Sequence, residues 1–273
     1  MNKKQRLSHA KAVVRGAICG DIIGSSYECH PTKDYHCKLN TKFSRFTDDT
    51  VCTIAIAETL IFNQSFAVTM QKWCRKFPNV GYGGRFKNWI FSHVPEDYGS
   101  YGNGSAMRVS PVGAIASSLE ECIELAKESA VITHNHPEGI KGAQAVALAI
   151  FMSLEGVSKD EIRDEIEKKF DYDLSRNYSE IQTDYRFQVS SQKSVPEAII
   201  CFLTSSDYES SVRLAVALGG DADTQAAIAG SIAAAYYGEI PDYILSDCMA
   251  KLPEDIKAII RKFDYALELK YGE

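Results

Sequence analysis

The sequence predicts an all-α protein. Three observations carry that expectation. Apolar residues recur three and four apart along most of the chain, alternating strand-like runs are few, and two segments rich in small residues have almost no polar face. In chain order, Ala10 to Ile23 puts Val13, Val14, Ala17, Ile18 and Ile22 at helical spacing. Asp49 to Phe62 reads as a helix that starts on acids. Ser118–Thr133, Gly139–Leu154, Lys159–Phe170, Val195–Leu203, Ser210–Leu218 and Thr224–Tyr237 follow as helices. Pro253–Leu269 is the last, with Pro253 in a first turn, where a missing N–H is tolerated. Gly142–Ile150 (GAQAVALAI) and Ala226–Tyr237 (AAIAGSIAAAYY) are small-residue rich almost all round. A helix without a polar face is buried, so both belong at the centre of the bundle. Tyr185–Val189 is the best strand-like run. Segment 155–193 is charged and tyrosine-rich, and reads as a peripheral helix followed by an irregular excursion. No linker, low-complexity tract or tandem repeat interrupts the chain, so residues 1–273 are expected to form a single domain.

Composition narrows the function. The 273 residues can bury one large core. Hydrophobic residues are 45% and charged residues 24%, as in a soluble globular protein. The net charge of -6 repels a phosphate backbone and argues against general nucleic-acid binding. A small anion in a local pocket is still compatible with it. Charged and polar residues interrupt the basic start, and no segment reaches the roughly 18 apolar residues of a membrane span, so neither signal peptide nor membrane partner is expected. The eight cysteines are scattered without a CxxC pair. They fit a cytoplasmic protein with reduced thiols in or near the core. A monomer is the default expectation.

Three acid-bearing turns stand at ends of predicted helices: Gly20-Asp21 through Gly24 to Tyr27-Glu28, Arg45-Phe46-Thr47-Asp48-Asp49-Thr50, and Gly219-Gly220-Asp221-Ala222-Asp223-Thr224. One acid at a helix start is explained by capping. Paired acids beside a hydroxyl, twice over, exceed that need. Converging buried acids would repel each other and rise in pKa, a penalty that a divalent cation removes. Carboxylate and hydroxyl oxygens suit Mg²⁺ or Mn²⁺. No matching His or Cys cluster favours zinc. Two glycine-rich segments, Asn79–Gly84 and Tyr98–Ala106, can turn N–H groups towards an anion, although no P-loop lysine follows. In Thr133-His134-Asn135-His136-Pro137-Glu138, His134 is read as a ligand contact and His136 as structural.

In order along the chain, GAICGDIIGSSYE, RFTDDT, YGNGSAMRVSPVG, THNHPEGIKGA and LGGDADTQAAIAGSIAAAYYG resemble the ADP-ribosylglycohydrolase family. The resemblance implies a compact helical domain with a central dinuclear site holding two divalent cations, Mg²⁺ or Mn²⁺. It assigns Thr47, Asp48, Asp49, Asp221, Asp223 and Thr224 as metal ligands, with Asp223 bridging the ions. Glu28 corresponds to a mobile acid beside the metals, and Glu28 or Asp48 would be the catalytic acid or base. Gly81, Gly83, Gly84, Ser100, Tyr101, Gly102 and Asn103 fall on phosphate and ribose loops, and His134 on a ligand contact. Ala222 stands where the family usually has Thr, between two ligands. The implied activity is hydrolysis at ribose C1″ of an ADP-ribosylated protein side chain or small molecule, releasing ADP-ribose. The residues by themselves leave two other readings open: a metal-dependent phosphoesterase on a nucleotide-like substrate, and a non-catalytic ADP-ribose binder or structural protein.

Overall fold

The computed structural model describes residues 1–272. Its helices are α1 (Lys3–Gly24), α2 (Asp48–Phe62), α3 (Phe66–Lys76), α4 (Gly84–Phe91), α5 (Ser110–Ile115), α6 (Leu119–Val131) and α7 (Pro137–Leu154), then α8 (Lys159–Phe170), α9 (Tyr178–Asp184), α10 (Ser191–Thr204), α11 (Tyr208–Ala217), α12 (Ala222–Tyr237), α13 (Asp242–Ala250) and α14 (Glu254–Tyr271). A 3-10 turn covers Asn103–Ser105. The all-α expectation holds: no strand occurs among the described residues, only an isolated antiparallel bridge between Gly102 and Ser190.

α12 is buried from Ala222 to Ala235, and most of α7 is buried as well. Both small-residue helices therefore lie inside the bundle, as their lack of a polar face predicts. α12 packs most extensively against α1. Glycines at every fourth position of α1 make that approach possible. A Cβ on Gly20 would lie 2.0 Å from the Ala226 carbonyl oxygen, one on Gly24 2.3 Å from that of Ala222, and one on Gly16 2.6 Å from that of Gly230. The two backbones touch along this seam. Apolar residues on the other faces of α1, including Ile18 and Ile22, complete the core.

Several helix ends differ from the sequence reading. α1 begins at Lys3, earlier than Ala10, because Asn2 and Gln5 form a capping box ahead of the apolar pattern. α10 begins at Ser191 and runs through Pro196. Its first residue is held by the glycine loop: Ser191 N–H donates to the Tyr101 carbonyl at 2.9 Å, and Ser191 Oγ to that of Gly102 at 2.8 Å. Pro253 caps α14 from outside the helix. Helices α3, α4, α5, α9 and α13 are additions to the sequence reading; each has 11 residues or fewer, which leaves little room for a periodic signal. The strand-like reading of Tyr185–Val189 is corrected. That segment has no regular structure and, among the described residues, no neighbouring strand; it meets the glycine turn Tyr101–Asn103 instead.

Gly20→Ala should be severely destabilising, because its methyl group would meet backbone. The expected loss in urea unfolding is about 3 kcal/mol or more. Gly84→Ala, where a Cβ meets nothing within 4 Å, should stay within about 1 kcal/mol of the parent. Equal stabilities would contradict the seam.

Candidate functional site

The acids of the site come from both ends of the chain. Asp21 lies on α1, one residue after the seam glycine Gly20, and is 1% exposed. Its Oδ2 accepts from the Thr47 N–H at 2.9 Å, the Thr50 N–H at 3.1 Å and the Thr50 hydroxyl, while its Oδ1 accepts from the Thr47 hydroxyl at 2.7 Å. One buried carboxylate thus folds the Thr47–Thr50 turn. Thr47 caps α2, and its hydroxyl accepts from the Asp49 N–H at 3.3 Å. Asp221 caps α12 by position, and Asp223 lies in the first turn. Thr224 Oγ1 donates to Asp49 Oδ2 across the two ends at 3.4 Å.

Two groups of acids have ligand atoms within 4.8 Å of one another: Asp21, Asp49 and Asp223, and Glu28, Asp221 and Asp223. Asp223 belongs to both. Asp48 lies beside them, with its N–H on the Val80 carbonyl at 3.1 Å. A Cβ on Gly81 would lie 3.1 Å from Asp48 Oδ1, and Gly81 has φ +115°, so glycine suits this position twice over. Glu28 is half-buried and has no hydrogen bond or ion pair among the described residues.

Burial, followed by mutual repulsion, sets the protonation of this cluster. Burial pushes the Asp48 carboxyl up to about 7, with Asp21 the next cause. Asp49 and Asp223 are held well above the carboxylate range by burial and by neighbouring acids. Burial also raises Asp21 and Asp221, where hydrogen bonds oppose it, and Glu28, where Asp221 adds to it. The residues fit divalent cations. The donors are all oxygen, as hard cations prefer. Asp49 Oδ1 is also buried without any hydrogen-bond partner, an expensive state that a cation would relieve.

A cavity of about 430 Å³ opens onto this cluster. Of the residues the sequence singles out, it is lined by Glu28, Asp48, Asp49, Asp221, Asp223 and Thr224, by Gly81, Gly83, Gly84, Ser100, Gly102 and Asn103, and by His134. Asn103 joins the two halves, since its Nδ2 donates to Asp221 Oδ2 at 2.8 Å. Gly84 is the first residue of α4, so this wall pairs a glycine turn with a helix start. Two predicted residues stand back from the lining. Thr47 is buried behind Asp21 and Asp49. Tyr101 is 53% exposed, with its ring edge-on to His136. His136 caps α7, its Nδ1 accepting from the Glu138 N–H at 3.1 Å, in keeping with the structural reading.

Other lining residues escape the sequence reading. Arg85, Phe86, Met107, Arg108, Phe187 and Val189 also line the cavity. Phe187 and Val189 come from the segment read as a strand, which reaches the cavity because the Asn103 N–H donates to the Val189 carbonyl at 2.8 Å. Arg108 could have been suspected as a lone basic residue in an otherwise apolar stretch after the second glycine segment.

The raised carboxyls have a consequence for stability. In the cation-free protein, a carboxyl held at about 7 keeps a proton that the unfolded chain loses near pH ~4. The folded state then binds more protons than the unfolded state between these values, and its stability falls as pH rises through that window. Cations displace the protons. The gain in melting temperature on adding Mg²⁺ or Mn²⁺ should therefore be small near pH ~5 and grow through pH ~7. A gain that is absent, or equal at both values, would contradict the cation fit.

Comparison with known proteins agrees with this geometry. The ADP-ribosylglycohydrolase family profile matches residues 2–271. The chain is 28% identical to ADP-ribosylhydrolase ARH3 of Mus musculus, over 92% of this chain and 90% of that protein. It is 24% identical to ADP-ribosylarginine hydrolase Tri1 of Pseudomonas putida, over 87% and 73%. A solved structure described as an ADP-ribosylglycohydrolase-related protein complex superposes with TM-score 0.73 at 22% identity, covering 97% of this chain and 99% of its own. With the matching motifs gathered around one acid-lined cavity and the profile spanning almost every residue, the chain belongs to the ADP-ribosylglycohydrolase family.

Proposed function

We propose that this protein is a hydrolase that cleaves the bond at ribose C1″ of an ADP-ribosylated protein side chain or small molecule and releases ADP-ribose. The observation that carries the reading is the single cavity in which Glu28, Asp48, Asp49, Asp221, Asp223 and Thr224 face the glycine segments around Gly81–Gly84 and Ser100–Gly104. Family membership and relatives named as ADP-ribosylhydrolases support it.

Thr47, Asp48, Asp49, Asp221, Asp223 and Thr224 would hold two divalent cations, Mg²⁺ or Mn²⁺, with Asp223 shared between them; its place in both acid groups supports the sharing. When bound, the cations supply orientation of vicinal ribose hydroxyls and Lewis-acid polarisation. The protein's own groups do the rest. Gly81, Gly83 and Gly84 leave room for a phosphate to approach backbone. Ser100, Gly102 and Asn103 would hold the diphosphate and ribose, with Tyr101 at the outer edge and His134 as a further contact. Glu28 carries no competing hydrogen bond and is free to take a proton from water or give one to the departing atom. Asp48, which lines the same cavity, is the second candidate for that role.

The same reading takes the chain as one domain over 1–273, supported by a family match from residue 2 to 271. It further takes the protein as a monomer in the cytoplasm. Eight free cysteines, seven of them buried, support a reducing compartment. Among the described residues, no helix is long and apolar enough to cross a membrane.

Release of free ADP-ribose from ADP-ribosyl-arginine, ADP-ribosyl-serine, poly(ADP-ribose) and O-acetyl-ADP-ribose, with Mg²⁺ and with Mn²⁺, tests the function and identifies the acceptor. Asp48→Ala and Asp223→Ala should lower release on the best substrate by on the order of 100-fold or more, the scale for losing a group that stabilises transition-state charge. Helical circular dichroism should stay close to the parent. Full activity in either variant, or in EDTA, would rule out the cation-dependent reading. Glu28→Gln with unaltered turnover on every active substrate would remove Glu28 from the chemistry. Inorganic phosphate or a nucleoside monophosphate as product would point to phosphoester cleavage.

A further inference from the structure

We infer that Arg108 and Thr133 are positioning residues which hold His134 in the tautomer protonated on Nε2, so that its ring donates a hydrogen bond into the cavity to an oxygen of the bound ligand. The nature of that ligand rests on the function proposed above; the tautomer does not.

The chain of donors begins at Arg108. This side chain is 1% exposed and, as a guanidinium, can only donate. Among the described residues it forms no ion pair; its Nη2 donates to the Ser129 carbonyl at 3.0 Å and to Thr133 Oγ1 at 2.9 Å. Thr133 is fully buried. Its hydroxyl accepts from Arg108, and its own proton has one partner within reach, His134 Nδ1 at 2.8 Å. Nδ1 must then be the acceptor, which places the ring proton on Nε2. In the reverse tautomer Nδ1 would donate to Thr133, and the threonine proton would be left buried without an acceptor. An unmet buried donor disfavours that arrangement by about tenfold or more.

The far side of the ring is open. Among the described residues Nε2 has no hydrogen-bond partner, and His134 lines the cavity. Gly104 and Gly102 keep it uncovered: a Cβ would lie 3.1 Å from Nε2 on Gly104 and 3.7 Å on Gly102. The same loop is tied to the relay, because the Ser100 N–H donates to the Thr133 carbonyl at 3.1 Å. Burial, with the Arg108 charge second, also holds the imidazole well below its ordinary range, so the ring is neutral when it donates. The site therefore presents a neutral N–H to an oxygen acceptor. A diphosphate oxygen and a ribose hydroxyl share that chemistry.

The tautomer can be read directly by ¹⁵N NMR of histidine-labelled protein without ligand, with His134→Gln identifying the signal among the six histidines. The expected result is a pyridine-type Nδ1 and a pyrrole-type Nε2 bearing the proton. Thr133→Val removes the relay hydroxyl at nearly constant shape, and should give a mixed tautomer and about tenfold weaker ADP-ribose binding. Thr133→Ser should restore both, which a role in packing alone would not predict. ADP-ribose and ADP measured side by side separate the two acceptors: a Thr133→Val penalty shared by both ligands places the contact on the diphosphate, one confined to ADP-ribose on the distal ribose. A proton on Nδ1 in the parent protein, or an unaltered tautomer in Thr133→Val, would overturn the relay. The expected tautomer in a protein that leaves ADP-ribose unbound would support the relay and count against the proposed function.

Discussion

The site depends on how closely α1 and α12 approach. Only glycine on α1 permits it, since a single added methyl at Gly20 would sit 2.0 Å from a backbone oxygen. The seam runs along the helix pair and ends at Gly24, against Ala222 and Asp223. Asp21 lies beside it and reaches outward to the turn that opens α2. A helix near each end of the chain is thereby locked to the other, and the acids meet as a result of backbone packing.

That arrangement concentrates negative charge where water is scarce. Buried carboxylates without counter-charge are costly, and the protein holds them in that state by the packing of a large apolar core. Some relief is built in. Asp21 is satisfied by the Thr47–Thr50 turn, Asp221 by Asn103, and Asp49 in part by Thr224. What stays unrelieved, above all Asp49 Oδ1, marks the position a cation would occupy. The rest of the cavity lining has a different character, with glycine backbone, a neutral histidine and a buried arginine.

Much of this was legible in the residues. The unbroken small-residue run of α12 signals a central helix because nothing in it can face water. TDDT and GGDADT signal an acid cluster that could hold a metal ion, because two acids beside a hydroxyl exceed what a helix cap needs. Asp21 was visible in an acid-bearing turn, but its task was not: a carboxylate that folds another segment's turn looks no different from one that caps a helix. The glycine seam was hidden because Gly16, Gly20 and Gly24 lie within an apolar helical pattern, and four-residue spacing reveals close approach only once the partner is known. Phe187 and Val189 could not be placed at all, since their position comes from a backbone bond to Asn103 that no local pattern encodes.

In the proposed enzyme, the seam would assemble one site for two neighbouring cations from opposite ends of the chain. Electron paramagnetic resonance of the protein titrated with Mn²⁺ addresses it directly. The account predicts two tightly bound ions per chain, with the exchange-coupled spectrum of a close pair. A single ion, or two that remain magnetically independent, would contradict it.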